Sequence, residues 1–214
     1  MKVFIPFASA AALSLSALAA SAQPQGTTAP TFVEKMASRA TLNQVRQGGF
    51  VLYMRHGNTD NSKPDRVPSV DLKDCSTQRP LTEEGRQLAA QVGKSIRAAH
   101  IPVSEIHVSP LCRAKESAQA AFGDKFQVNE FLMYTSNLTT EEKKPILETT
   151  RQLLSTPVAK GSNRVIVAHA PNMADLIGYF VKPEGTVVVI RPKGDAGFEY
   201  VASIPPTLWR ELLP

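Results

Sequence analysis

Phe50-Val51-Leu52-Tyr53-Met54-Arg55-His56-Gly57-Asn58-Thr59 is the stretch on which the fold turns. Its first five residues are apolar without alternation, the pattern of a strand buried on both faces of a parallel sheet. The strand then runs directly into charge. Just upstream, apolar residues at Phe32, Val33, Met36, Ala40, Leu42 and Val45 recur at loosely helical spacing and stop at Gly48-Gly49, so residues 32–47 read as a helix. Downstream, a polar loop rich in proline and aspartate continues to about Pro80, and a loop of that length in a compact domain points to function.

The same grammar repeats along the chain. Thr82 is placed to cap a helix whose first turn carries Glu83 and Glu84, with Leu88, Ala89, Val92, Ile96 and Ala99 forming its apolar face up to about His100. Glu105 to Ser109 alternates as a strand, Pro110 breaks it, and residues 111–122 return to helical spacing ended by Gly123. Residues 126–128 read as a short strand, 129–138 as a loop, and 139–154 as a helix capped by Thr139. Val165-Ile166-Val167-Ala168 is a second buried strand, followed by His169 and a helix from Met173 to about Phe180. Residues 185–190 and 197–203 form an antiparallel pair around Pro192-Lys193-Gly194-Asp195, and a short helix holds Trp209. Strands alternating with helices predict a three-layer α/β/α sandwich with a mainly parallel sheet and antiparallel pairing near the C-terminus.

The ends of the chain and its composition narrow the function. Lys2, an apolar stretch to Ala20 and the A-x-A sequence Ala20-Ser21-Ala22 read as a signal peptide over residues 1–22, followed by a flexible leader over 23–30 and one domain over 31–214. This predicts export to the periplasm or outside the cell, with no membrane anchor after cleavage. The formal net charge is +5, but Lys and Arg are scattered and only 7% of residues are aromatic, which argues against nucleic acid as a partner. A small anionic substrate fits better. In an oxidising compartment the only two cysteines, Cys75 in the long loop and Cys112 directly before Arg113, are natural candidates for a disulfide that would tie the loop to the segment carrying Arg113. Neither has an arginine six positions on, as a thiol phosphatase requires; those places hold Leu81 and Ala118.

Ligand sites of open α/β sheets lie beyond the carboxyl ends of the strands. There the strands deliver Arg55 and His56, then Arg113 on the opening turn of a helix, then His169. Arginine forks match phosphoryl oxygens, a neutral imidazole is a nucleophile, and Gly57 would let phosphoryl oxygens approach the backbone. His100 and His107 fall at a helix end and in mid-strand and are assigned to structure.

With these segments in hand, Arg55-His56-Gly57-Asn58-Thr59 resembles the R-H-G-x-T signature of the histidine phosphatase (phosphoglycerate mutase-like) superfamily. Leu81-Thr82-Glu83-Glu84-Gly85 is similar to its L-T-x-x-G helix start, Ser109-Pro110-Leu111-Cys112-Arg113-Ala114 to its S-P-x-x-R-A segment, and Val167-Ala168-His169 to its second histidine motif. The resemblance implies a small exported phosphomonoester hydrolase that needs no metal or other cofactor. His56 would be the phosphohistidine nucleophile, with Arg55, Arg113 and His169 around the phosphoryl group. Glu130, in Val128-Asn129-Glu130-Phe131, sits where one branch carries its proton-donating glutamate, with Asp60, Asp65 and Glu184 as rivals; the acid-phosphatase branch has Asp after the second histidine, where this chain has Ala170. Asn58, Thr59 and Arg79 are further substrate-binding candidates, and Arg86 reads as surface. Competing readings are a non-catalytic phosphate or phosphosugar binding module, a mutase of the same family, and a metal-dependent hydrolase, the last disfavoured by arginines where a metal site would carry carboxylates.

Overall fold

The computed structural model of the chain describes Met1 and residues 31–213; the expected signal peptide and leader lie outside the described residues. Among the described residues no helix is long and apolar enough to cross a membrane. Among the described residues six strands and six helices follow in the order read from the sequence, with three 3-10 turns between them. The strands are β1 (Val51–Arg55), β2 (Val103–Val108), β3 (Gln127–Val128), β4 (Asn163–Ala168), β5 (Val187–Pro192) and β6 (Phe198–Ile204). The helices are α1 (Arg39–Arg46), α2 (Glu83–Ala98), α3 (Cys112–Phe122), α4 (Thr140–Ser155), α5 (Ala170–Ile177) and α6 (Trp209–Leu212).

The sheet runs β3-β2-β4-β1-β5-β6. β1, β2, β3 and β4 are mutually parallel, while β5 pairs antiparallel with both β1 and β6. Side chains alternate between faces along a strand, and the core divides accordingly. Leu52 and Met54 of β1 with Val165 and Val167 of β4 join Leu42, Val92, Ala118 and Trp209, so α1, α2, α3 and α6 cover one face. Val51 and Tyr53 with Ile166 and Ala168 join Leu154 and Met173, so α4 and α5 cover the other. β1 and β4 lie between both layers, which is why their sequences show no polar alternation.

Local chemistry sets the helix starts. The Thr82 side chain accepts from the Gly85 amide, and Thr139 forms a capping box with Glu142. Two starts differ from the sequence reading. Residues 32–37 are extended rather than helical: Met36 bridges Ser203 of β6, and Phe32 stacks on Tyr179 at 4.4 Å between ring centroids. Ser38 then opens α1 with its own capping box to Thr41. Tertiary pairing along a sheet edge overrides the loose helical spacing there. α5 begins at Ala170, directly after His169, because Pro171 in the first turn suits a helix start, and it ends earlier, at the left-handed Gly178.

Candidate active site

Three strand ends converge as expected. β1 ends at Arg55 and hands on His56; β4 ends at Ala168 and hands on His169, the N-cap residue of α5; β2 leads through Ser109 into α3, whose second residue is Arg113. The backbone locks the two histidines together, because the His56 amide donates to the Ala168 carbonyl at 3.2 Å. The Tyr53 hydroxyl accepts from the His169 amide at 3.1 Å and donates to the His169 carbonyl at 2.7 Å. The two imidazole rings lie 5.3 Å apart between centroids.

The nitrogens of each ring are assigned by their neighbours. His56 Nδ1 lies 2.8 Å from the Gly57 carbonyl, which can only accept, so Nδ1 carries the proton and Nε2 keeps its lone pair. His169 Nε2 lies 2.7 Å from Ser109 Oγ, while its Nδ1 is buried with no partner among the described residues. Both rings are buried, and that burial, aided by the Arg113 charge, holds both imidazoles well below their ordinary pKa. Each is therefore neutral at physiological pH, the form that attacks or hydrogen-bonds a phosphoryl group.

Gly57 meets a demand different from the one its sequence position suggests. A Cβ there would lie 2.2 Å from the Gly85 carbonyl oxygen, and one at Gly85 would lie 2.1 Å from the Asn58 carbonyl oxygen. The glycines of R-H-G and L-T-x-x-G are thus two halves of one crossing, in which the turn after β1 docks on the first turn of α2. Ser117 of α3 fixes the same turn through the Gly57 amide at 2.9 Å. The Asn58 side chain is exposed and its carbonyl accepts from the Thr82 amide, while Thr59 bridges Leu81.

Three arginines surround the pair. Arg55 donates to the Val181 carbonyl at 2.8 Å, pairs with Glu184, and lies 5.4 Å from the Phe180 ring centroid. Arg113, fully buried, donates through both terminal nitrogens to Asp65, at 2.9 and 3.2 Å. Arg79 donates to the Asn61 side chain at 3.1 Å and has no carboxylate partner among the described residues. Its charge disfavours protonation of both histidines and of Arg55 and Arg113, which places it inside the same field.

The loop over 60–79 forms one wall. Cys75 is disulfide-bonded to Cys112, with 5.8 Å between their Cα atoms. Next to the bridge, Gln78 accepts from the Cys112 amide at 2.7 Å and donates to the Asp71 carbonyl at 2.9 Å. Asp65 accepts a third hydrogen bond from the Arg79 amide at 2.7 Å. Opposite stands Tyr134, unforeseen in the sequence: its ring meets His169 edge-on at 5.6 Å and lies 5.2 Å from the Arg113 guanidinium carbon. Asn172 of α5 holds that segment by donating to the Met133 carbonyl at 2.9 Å. Two cavities, of about 100 and 300 Å³, open between the loop and residues 133–138, and Asp65 and Tyr134 line both. Glu130 is exposed on a 3-10 turn over Glu130–Leu132 and makes no hydrogen bond through its side chain among the described residues. Among the described residues no group of three or more His, Cys, Asp or Glu side chains could hold a metal ion.

Comparison with known proteins agrees with this arrangement. Residues 51–133 match the family described as the histidine phosphatase superfamily (branch 1). Among solved structures, the protein histidine phosphatase SixA in complex with tungstate superposes with a TM-score of 0.52 at 16% identity, covering 74% of this chain and 97% of that one. The alpha-ribazole phosphatase from Shigella flexneri gives 0.51 at 16% identity, covering 73% and 96%. At that identity the likeness speaks for the fold, and a search of curated proteins finds no match. The family match begins at the first residue of β1 and takes in Arg55, His56 and Arg113, the groups that the strand ends bring together, so over residues 51–133 the chain is similar to the histidine phosphatase superfamily.

Proposed function

We propose that the protein is an exported phosphomonoester hydrolase that works through a phosphohistidine on His56 and requires no metal. The observation that carries this reading is the buried, neutral His56, whose Nδ1 proton is spent on the Gly57 carbonyl while three arginines crowd the same cleft. Nε2 attacks phosphorus in line with the departing oxygen, forming a P–N bond as the P–O bond breaks. Water then attacks the phosphohistidine and releases inorganic phosphate. Arg55, Arg113 and His169 bind the phosphoryl oxygens and stabilise the charge of the transition state, and Arg79 adds positive charge at the rim. Asn58 and Thr59 shape the turn beneath the phosphoryl group. Glu130 is the family-based candidate for protonating the leaving group, with Asp60, Asp65 and Glu184 as alternatives. Export is supported by the Cys75 to Cys112 bridge, which suits an oxidising compartment.

Acid-quench trapping tests the reading. Incubation with a ³²P-labelled phosphomonoester is expected to leave an acid-labile, base-stable phosphoprotein that is absent in His56→Ala, with hydrolysis reduced by at least ~10⁴-fold. Activity is expected to persist in chelator. Binding of phosphate without any adduct would point to a non-catalytic binding module, and transfer to a second hydroxyl compound rather than water would point to a mutase.

A further inference from the structure

We propose that Asp65 is the proton donor to the leaving group, an assignment that rests on the phosphohistidine reading above. Of the four candidate carboxylates, Glu184 is committed to Arg55, Asp60 is bound by the Ser62 amide and hydroxyl, and Glu130 is exposed, with no partner among the described residues. Asp65 alone has both oxygens on a phosphoryl-binding residue. Its side chain is only 11% exposed against the fully buried Arg113. It also lines two cavities together with Tyr134, whose ring meets His169 edge-on and lies 5.2 Å from the Arg113 guanidinium carbon.

The pair suggests an exchange. A carboxylate held by both terminal nitrogens of an arginine takes the two N–H directions that two phosphoryl oxygens would use. When a phosphoryl group enters that fork, Asp65 gives up two of its three hydrogen bonds and becomes the neighbour of a like charge. A carboxyl beside a phosphoryl dianion takes up a proton more readily than one in an arginine fork. Asp65 remains tethered by the Arg79 amide and by the loop's bridge to Cys112, so it moves aside without leaving the cleft. As Nε2 of His56 bonds to phosphorus and the P–O bond breaks, the Asp65 carboxyl proton passes to the departing oxygen, and a neutral alcohol leaves. In the second step the Asp65 carboxylate accepts a proton from the attacking water, the P–N electrons return to Nε2, and phosphate departs. Protein and proton inventory are then restored.

The test is leaving-group dependence. Ethyl phosphate must leave as a protonated alcohol, whereas p-nitrophenolate departs with little help. Asp65→Asn is expected to lower kcat/KM for ethyl phosphate by ~10²–10³-fold and for p-nitrophenyl phosphate by less than about tenfold. Asp65→Glu is expected to recover part of the ethyl phosphate activity. Vanadate affinity of Asp65→Asn should be equal to or tighter than wild type, since a competitor for Arg113 has been neutralised. Equal losses on both esters with weaker vanadate binding would overturn the proposal and make Asp65 a positioning residue for Arg113. Intact ethyl phosphate hydrolysis in Asp65→Asn, or its selective loss in Glu130→Gln, would overturn it as well. Should Asp65→Asn not fold, a series of substituted phenyl phosphates with the wild type decides: a shallow dependence on leaving-group pKa is expected, and a steep one excludes proton donation. If phosphohistidine is trapped in wild type but the ester split is missing, only the Asp65 assignment fails; if none is trapped, the reading beneath it fails.

Discussion

The strand-end wall of the cleft and its loop wall are held by different kinds of bond. His56, His169 and Arg55 are set by the β1–β4 ladder, by backbone bonds across strand ends and by Tyr53 beneath them. Asp65 and Arg79 sit on a long loop whose attachments are an ion pair to Arg113, an amide clasp through Gln78 and one disulfide. The first wall inherits the stiffness of the sheet. The second is adjustable, and an exchange between Asp65 and an incoming phosphoryl group needs that freedom. The proposed nucleophile belongs to the wall set by the sheet, and the proposed proton donor to the one held by side chains and a disulfide.

Removing the disulfide is the largest perturbation of this contrast. The bridge closes a loop with a sequence separation of 37, for which chain entropy gives a stabilisation of about 3–4 kcal/mol, with measured bridges often delivering less. Cys75→Ser/Cys112→Ser is expected to lower the unfolding free energy by about 2–4 kcal/mol in urea titrations. Vanadate binding should weaken as Arg79 loses its tether, while His56 still becomes phosphorylated from p-nitrophenyl phosphate. Abolished phosphorylation would show that the loop helps to hold the nucleophile, and the distinction between the walls would fall.

The strand-end wall can be probed by acid alone. Burial keeps His56 and His169 neutral in the folded protein, whereas in the unfolded chain each takes up a proton near pH 6.5. Below that pH the unfolded state binds more protons than the folded one, so stability must fall as pH falls. The expected slope is up to about 1.4 kcal/mol per pH unit for each histidine, or about 2.7 for both, between roughly pH 6.5 and 5. Unfolding titrations at pH 7.5, 6.5 and 5.5 in phosphate-free buffer measure it, and His56→Gln/His169→Gln should flatten the curve. A slope unchanged in that variant would mean that the histidines are not held neutral by burial.

The same contrast explains what the sequence discloses. Order of elements, the caps at Thr82 and Thr139, and the convergence of Arg55, His56, Arg113 and His169 all follow from local signals: apolar runs, capping residues, and charge placed directly after a strand. Residues 32–37 were legible as apolar but not as extended, because their partner, Ser203, lies far along the chain. Gly57 is conspicuous in sequence, yet its reason is contact with Gly85, which no local pattern states. Tyr134 has no local signature at all; it reaches His169 and Arg113 only through the path of a loop pinned by Asn172. Asp65 appeared as one carboxylate among four, and only its seat in the fork of Arg113 separates it from the rest.

Arg79 offers the finest test, because it belongs to the loop wall while acting on groups of the strand-end wall. Arg55 and Arg113 are each compensated by a carboxylate, so the excess charge that draws an anion into the resting cleft comes from Arg79. Replacing it by Met should cost about 1–2 kcal/mol of binding, seen as a roughly 5- to 30-fold weaker affinity for vanadate, with fold stability nearly unaltered. Arg79→Lys should recover part of the loss, since charge is kept but the planar fork is not. The effect should shrink as salt is raised, because a half-buried charge at a rim is screened more than the buried Arg113. A loss in Arg79→Met that is insensitive to salt and not relieved by Lys would mean that Arg79 acts by shaping the loop through Asn61 rather than by its charge. The loop wall would then contribute form alone, and the attraction for the phosphoryl group would reside entirely in the strand ends.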